Sequence, residues 1–212
     1  VHDPLMRPII AKYLLLPNAT AVIEVAQACG LHLLTADERN PIVASTYGVG
    51  ELIADALEEG AKRIIIGLGG SATNDVGLGM LMALGITFHD INDSLLTHGG
   101  GALASLHKLD NTNLHTKISD TVFEVACDVT NPLCGLLGAS AVFGPQKGAC
   151  PEQVNTLDKA LSHFATICGQ HGYEDCQHVA GAGAAGGLGY AMMTFFKAQL
   201  KSGFDTVAEV AH

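Results

Sequence analysis

The chain contains no tryptophan, and charged side chains make up only 15% of it. What remains is 48% hydrophobic, a composition that suits an α/β domain with well-buried strands. Cations are scarcer still, with 11 Lys and Arg against 21 Asp and Glu and a net charge of −10. Such a surface cannot neutralise a row of phosphates, which excludes a nucleic acid as partner. No apolar run approaches the ~18 residues of a membrane span and no signal-peptide pattern is visible, so a cytoplasmic, membrane-free protein is expected. The six cysteines (29, 127, 134, 150, 168, 176) form no CxxC pair and are expected as reduced thiols. Ten histidines show neither HxH nor HExxH spacing, which argues against structural zinc. The pattern GxxxxGK[ST] is missing too, which excludes a P-loop enzyme.

At 212 residues the chain can bury a proper core, and residues 1–212 are expected to form a single α/β domain. Its organising stretch is Arg63 to Gly79, RIIIGLGGSATNDVGLG. An apolar run, Ile64 to Ile66, stops at Gly67, and a glycine-rich turn then presents Ser71, Thr73, Asn74 and Asp75 before helical spacing resumes at Met80. Read physically, this is a buried strand, a turn with bare backbone N–H groups, and the start of a helix, which together make a ready anion site. Helix capping would use one of the four polar side chains, so the cluster exceeds what a turn requires.

Around this stretch the chain falls into further elements. Ile9 to Leu16 reads as a strand or strand pieces, and Thr20 to Cys29 as a helix carrying Glu24 on a partly exposed face. A helix from about Glu51 to Glu59, capped by Thr46 or Gly48, precedes the organising strand. A helix over about Asp75 to Leu84 and a short strand at Ile86 to Phe88 follow it. The polar run from His89 to Asp120 predicts an excursion with a hairpin or short helix, placed over the site. Val122 to Cys127 reads as a second strand ending in a loaded loop with Asp128, Thr130 and Asn131. Asn155 to His171 and Leu188 to Leu200 read as helices. Strands followed by polar glycine loops and helices indicate an α/β layer fold with ligands at one edge.

Two glycine patterns carry weaker signals. Gly181, Gly183 and Gly186 match GxGxxG, but no buried strand precedes them, and close helix packing would account for them equally. Gly67, Gly69 and Ala72 match the GxGxxA variant after a strand, with Asp90 at about the right distance, so a dinucleotide-binding oxidoreductase is the rival on pattern alone. Against it, Asn74 and Asp75 would set polar groups, one anionic, beside a pyrophosphate; Asp75 suits Mg²⁺ or a substrate hydroxyl better. Lys147, between Gly144 and Gly148 in FGPQKGA, is either a surface lysine or an anion ligand held by the turn.

Five segments together resemble the glycerate kinase family, in its bacterial type acting on D-glycerate: DPLMRPIIA, STYGVGELI, IIIGLGGSATND, ACDVTNPLCGLLGASAVFGPQKGA and GAGAAGGLG. The resemblance covers essentially all 212 residues. It implies phosphoryl transfer from ATP, with Mg²⁺, to a hydroxyl of D-glycerate, usually the 2-hydroxyl. It also implies a two-domain α/β enzyme whose middle domain is inserted into a Rossmann-like domain built from both chain ends. This chain looks like that middle portion, since the family's acidic, glycine-rich early motif and later GEGR-type motif are both absent, and alone it is expected to be inactive. Val76 stands where the family more often has Gly, a position at which a β-branched residue resists positive φ. Met6 and Cys150 are the other departures.

On that chemistry, Asp128 is the expected base, corresponding to the Asp of the family's CDVTNP motif and emerging from an apolar strand that should desolvate it. Ser71, Thr73, Asn74, Asp75, Thr130, Asn131 and Lys147 are expected to bind substrate, and Asp75 alternatively the metal. Gly69 and Gly70 are expected to offer N–H groups to the nucleotide. A homodimer is compatible with all of this. A non-catalytic glycerate-binding module is the alternative from another class.

Overall fold

The computed structural model describes residues 1–203. In chain order the elements are β1 (Leu14–Leu15), β2 (Thr20–Glu24), α1 (Ala26–Cys29), α2 (Tyr47–Glu58), β3 (Arg63–Gly67), α3 (Leu78–Ala83), β4 (Thr87–His89), β5 (Lys108–Asp110), β6 (Val122–Ala126), α4 (Ala139–Phe143), α5 (Pro151–Gln170), α6 (Ala184–Phe196) and β7 (Gln199–Lys201). The main sheet has the order β1-β2-β3-β6-β7, with β1 antiparallel and the other four strands parallel. The fold is mixed α/β, as composition and pattern predict.

Register explains why the middle strands are apolar. Ile23, Ile66 and Val125 sit side by side across β2, β3 and β6, and all three are fully buried. Strands covered on both faces read as continuous β-branched runs, which is how Ile64 to Ile66 reads. Aromatic rings fill the space between layers, with Phe123 stacked on Phe196 at 4.9 Å and Phe88 beside Phe164 at 5.9 Å. Among the described residues, no helix is long and apolar enough to cross a membrane.

Several local expectations are overturned. Thr20 to Cys29 is not one helix: Thr20–Glu24 is a strand, and only Ala26–Cys29 is helical. The buried set Ala21, Ile23 and Val25 alternates with exposed Glu24, so period two and β-branching outweigh the helix-compatible spacing. Within Ile9 to Leu16, only Leu14 and Leu15 pair, while Ile10 points to solvent. The closing helix ends at Phe196, and Gln199 to Lys201 instead pair in parallel with β6. The excursion supplies β5, which pairs antiparallel with β4, the short strand expected at Ile86 to Phe88, but no residue of it lines the cleft described below. It backs the site instead, pressing Gly100 so close to Asn74 that a Cβ there would lie 2.3 Å from the Asn74 carbonyl oxygen.

The parallel strands all deliver their carboxyl ends to the same edge. The loops after Gly67 of β3 and Ala126 of β6 therefore face one another, the usual place for a ligand in an open α/β sheet.

Candidate active site

Those two loops, with the turn around Lys147 and the start of α6, enclose a cleft of about 310 Å³. Its lining includes Gly69, Gly70, Ser71, Cys127, Asp128, Phe143, Gln146, Lys147, Ala184 and Ala185. Gly70 has φ +72°, which calls for glycine, and a Cβ built on Gly69 would meet nothing within 4 Å. Among the described residues, no acceptor takes the backbone N–H of Gly69, Gly70 or Ser71. Three successive bare N–H groups around a left-handed residue form the concavity that binds anions in other loops.

The helix beyond starts later than the sequence pattern predicts. α3 begins at Leu78, so Gly69 to Ser71 are not a helix N-terminus and lack its dipole. Between them, Ser71 to Gly77 run as a buried irregular segment. This also removes the geometric basis of the dinucleotide pattern, which needs a helix opening on the glycines. Asp90, its expected ribose partner, follows β4, a strand of the separate two-stranded sheet.

Lys147 is not a surface lysine; it is 2% exposed. Its Nζ donates to Ser71 Oγ at 3.0 Å and to the Thr73 carbonyl oxygen at 2.6 Å. Burial pushes its ammonium down to about 8, because a low-dielectric setting disfavours the charged form. Two of its three N–H donors are thus committed to the glycine loop, and its body lines the cleft.

Asp75 lies behind the cleft, fully buried, and does not line it. Its Oδ2 accepts from the Thr46 N–H and hydroxyl, both at 2.9 Å, and from the Gly79 N–H at 3.2 Å, while Oδ1 accepts from the Gly77 N–H at 3.2 Å. Burial raises its carboxyl pKa and these hydrogen bonds oppose the rise. A carboxylate buried behind the cleft and already taking four hydrogen bonds from the protein is poorly placed as a ligand for Mg²⁺ in the cleft. Among the described residues, no group of three or more His, Cys, Asp or Glu is gathered in a way that could hold a metal. Thr46 leads into α2, yet its hydroxyl donates to Asp75 and accepts the Met80 N–H at 2.9 Å rather than capping the helix.

Asn74 is also buried behind the cleft, its Nδ2 donating to Ser140 Oγ at 2.9 Å and its Oδ1 left without a partner among the described residues. Thr73 is fully buried and contributes its carbonyl to Lys147. The glycines of GAGAAGGLG explain how this segment is held. Ala185, Gly186 and Gly187 have φ of 50°, 69° and 92°, and the Val76 N–H donates to the Gly186 carbonyl at 3.0 Å. A Cβ on Gly186 would fall 2.1 Å from the Thr73 carbonyl oxygen. Close packing, rather than a dinucleotide fingerprint, is therefore what these glycines serve. Val76 itself takes φ 51°, the left-handed conformation that its β-branch disfavours, with its side chain fully buried.

Residues 1–212 match a model of the glycerate kinase family. The chain belongs to the glycerate kinase family. It is 48% identical over 210 residues to a glycerate kinase of Bacillus subtilis (strain 168), covering 99% of this chain and 55% of that protein. It is 51% identical over 188 residues to a glycerate 2-kinase of Escherichia coli (strain K12), covering 89% of this chain and 49% of that protein. Its fold superposes on a crystal structure of a protein described as a glycerate kinase 2 from Salmonella typhimurium LT2, with a TM-score of 0.95 and 45% identity over 99% of this chain and 56% of that one. The chain thus spans about half the length of the curated relatives it matches.

Within this glycerate kinase family chain, the expected site residues separate into three groups. Gly69, Gly70, Ser71, Lys147 and Asp128 share the cleft. Thr73, Asn74 and Asp75 are buried behind it, and Thr130 and Asn131 lie beside it. Asn131 donates from Nδ2 to the Leu137 carbonyl at 2.8 Å, and its own carbonyl accepts the Gly183 N–H at 2.9 Å, which joins the β6 loop to the start of α6. Asp128 is exposed, contrary to the expected desolvation, because β6 ends at Ala126 and the chain turns outward. Its Oδ1 accepts the Gly203 N–H at 2.9 Å. Phe143, Gln146, Cys127, Ala184 and Ala185 line the cleft without having been singled out. Gln146 was accessible from its place beside Lys147 in FGPQKGA; the alanines carry no chemical signal.

Proposed function

We propose that this chain supplies one wall of the active site of a D-glycerate kinase, which transfers the γ-phosphoryl group of ATP to the 2-hydroxyl to give 2-phosphoglycerate. One observation carries this reading: a single cleft combines an accessible carboxylate, Asp128, with bare N–H groups and a lysine ammonium. Phosphorylating an alcohol needs an acceptor for its proton and positive or N–H stabilisation for negative oxygens. Asp128 is the base, with Oδ1 held by the Gly203 N–H and Oδ2, which has no partner among the described residues, facing the hydroxyl proton. The names and identities of the relatives support the same chemistry.

ATP brings the transferable phosphoryl group. Mg²⁺ would enter with the ATP phosphates and screen their charge, and Asp75, buried behind the cleft, is poorly placed to hold it. The relatives' greater length supports reading the chain as the middle domain of a two-domain enzyme, folding alone but turning over only with the rest of the protein. Closing a second wall excludes water and aligns donor with acceptor. A cytoplasmic location fits the six free thiols. The test is a coupled assay of ADP release with D-glycerate and Mg-ATP, run on the full-length protein and on the 212-residue chain. Full-length protein that releases no ADP above its D-glycerate-free background would end the kinase reading.

A further inference from the structure

We infer that the cradle formed by the N–H groups of Gly69, Gly70 and Ser71 with Lys147 holds the carboxylate of the hydroxy-acid substrate, and not a phosphate of the nucleotide. The inference rests on the kinase reading and corrects one expectation within it, that Gly69 and Gly70 serve the nucleotide.

Charge decides the matter first. Among the described residues, Lys147 is the one cationic residue lining the cleft, and Asp128 is the one anionic residue. A nucleotide triphosphate carries several negative charges, and kinase sites neutralise them with several cations and metal ions. A lining with one ammonium and one carboxylate matches a monoanion. Size agrees, since about 310 Å³ lies at the small end of ligand pockets, which run to ~1,000 Å³.

The donor geometry then places the carboxylate. Ser71 Oγ accepts from Lys147, so its own hydroxyl hydrogen is free to donate. The third N–H of Lys147 has no acceptor among the described residues. Two carboxylate oxygens offer about four lone-pair sites. Three backbone N–H groups, one hydroxyl and one ammonium N–H can fill them. With the carboxylate held there, the hydroxyl on the neighbouring carbon is left to face Asp128 across the same cleft. The depressed pKa of Lys147, about 8, adds a signature: as its ammonium loses a proton, the carboxylate loses a partner.

The experiment uses the full-length protein and four ligands: D-glycerate, glycerol (the same hydroxyls without a carboxylate), inorganic phosphate and Mg-ATP. Calorimetry and steady-state kinetics are compared for wild type, Lys147→Met, Lys147→Arg and Ser71→Ala, each checked for a cooperative melt. Lys147→Met is expected to weaken D-glycerate about 10- to 100-fold, the worth of a charge-assisted hydrogen bond, and to leave Mg-ATP unchanged. Lys147→Arg should restore part of the loss and abolish the fall in D-glycerate affinity that wild type shows above pH ~8. Glycerol should bind to none of them. A variant that does not melt cooperatively is set aside, and Ser71→Ala, which removes only a hydroxyl, then decides through the same split between D-glycerate and Mg-ATP. If the KM for ATP moves while that for D-glycerate does not, or if ATP or inorganic phosphate displaces D-glycerate from this cleft, the inference is overturned and the kinase reading stands. Lysine-dependent D-glycerate binding in a protein that releases no ADP would sustain the inference and remove the kinase reading.

Discussion

Replacing Gly186 by alanine adds one methyl group at a place where the structure leaves no room. The new Cβ would lie 2.1 Å from the Thr73 carbonyl oxygen and 2.6 Å from Asn74 Cα, both backbone atoms that cannot rotate away. Gly186 also has φ +69°, which costs an L-residue roughly 1–2 kcal/mol. Overpacking a filled interior costs about 1–3 kcal/mol more. The total, about 2–5 kcal/mol, corresponds to a Tm lowered by about 4–20 °C for a domain of this size. The displaced carbonyl is the one that accepts from Lys147 at 2.6 Å, so the glycine loop loses its anchor along with the stability. D-glycerate affinity should therefore fall together with Tm.

Gly69→Ala is the matched control, since its Cβ would meet nothing within 4 Å and its backbone is not left-handed. It should change stability by no more than about 1 kcal/mol, through the unfolded chain alone. Thermal melts of both variants give the answer directly. A Gly186→Ala protein melting within ~2 °C of wild type would refute the wedge between the α6 entry and Thr73–Asn74, since the physical estimate starts above that.

Four further outcomes are expected. Asp128→Asn should melt like wild type but lower kcat by ~10²–10⁴, the usual contribution of a general base, and unchanged turnover would remove Asp128 from the chemistry. Asp75→Asn turns one hydrogen-bonded acceptor oxygen into a donor and should cost about 2–4 kcal/mol in denaturant unfolding without moving the Mg²⁺ dependence of the rate; the opposite pattern would restore a metal role. For Lys147 the folded pKa, about 8, lies below the ordinary 10.5, so the unfolded chain binds more protons between these values and the stability of wild type relative to Lys147→Met should rise through that pH window, by up to about 3 kcal/mol. Calorimetric titration with NAD and NADP should show no saturable heat, whereas a low-micromolar Kd for either would revive the dinucleotide reading.

The parts of the fold legible in the sequence are those whose signals are local. Ile64 to Ile66 declare their strand because two-sided burial demands continuous apolar residues, and Val122 to Ala126 declare theirs by a weaker alternation around Glu124. Leu157, Leu161 and Phe164 declare one face of α5, and all three are fully buried. Thr20 to Cys29 misleads because a strand runs into a helical turn at Val25 with no glycine or proline between them. In the site, Ser71 and Lys147 are legible as polar residues framed by glycines, but their hydrogen bond spans 76 residues of sequence and is not. Asp75 is visible as an acid in a glycine loop; that its oxygens face Thr46 and the entry of α3 depends on how two distant segments pack.

That difference between neighbours has a physical consequence for how the site works. From Ser71 to Asp75 each residue ties the glycine loop to another part of the protein: Ser71 and Thr73 to Lys147, Ala72 to Cys29, Asn74 to Ser140 in α4, Asp75 to Thr46 and α3. Buried polar networks of this kind are costly when broken, because each orphaned partner stays desolvated. The bonds that are made hold the backbone in one arrangement, which is what bare N–H groups need if they are to meet a carboxylate without first reorganising, while Thr73 Oγ1 and Asn74 Oδ1 have no partner among the described residues. The cluster thus divides by depth: Gly69 to Ser71 present donors to the cleft, and Thr73 to Asp75 keep those donors still. Gly69→Ala should move substrate affinity with little change in Tm, Gly70 at φ +72° should lose stability as well on gaining a side chain, and substitutions in the second group should move Tm first. A set of variants running from Gly69 to Asp75 that showed one proportional loss of both would contradict this division.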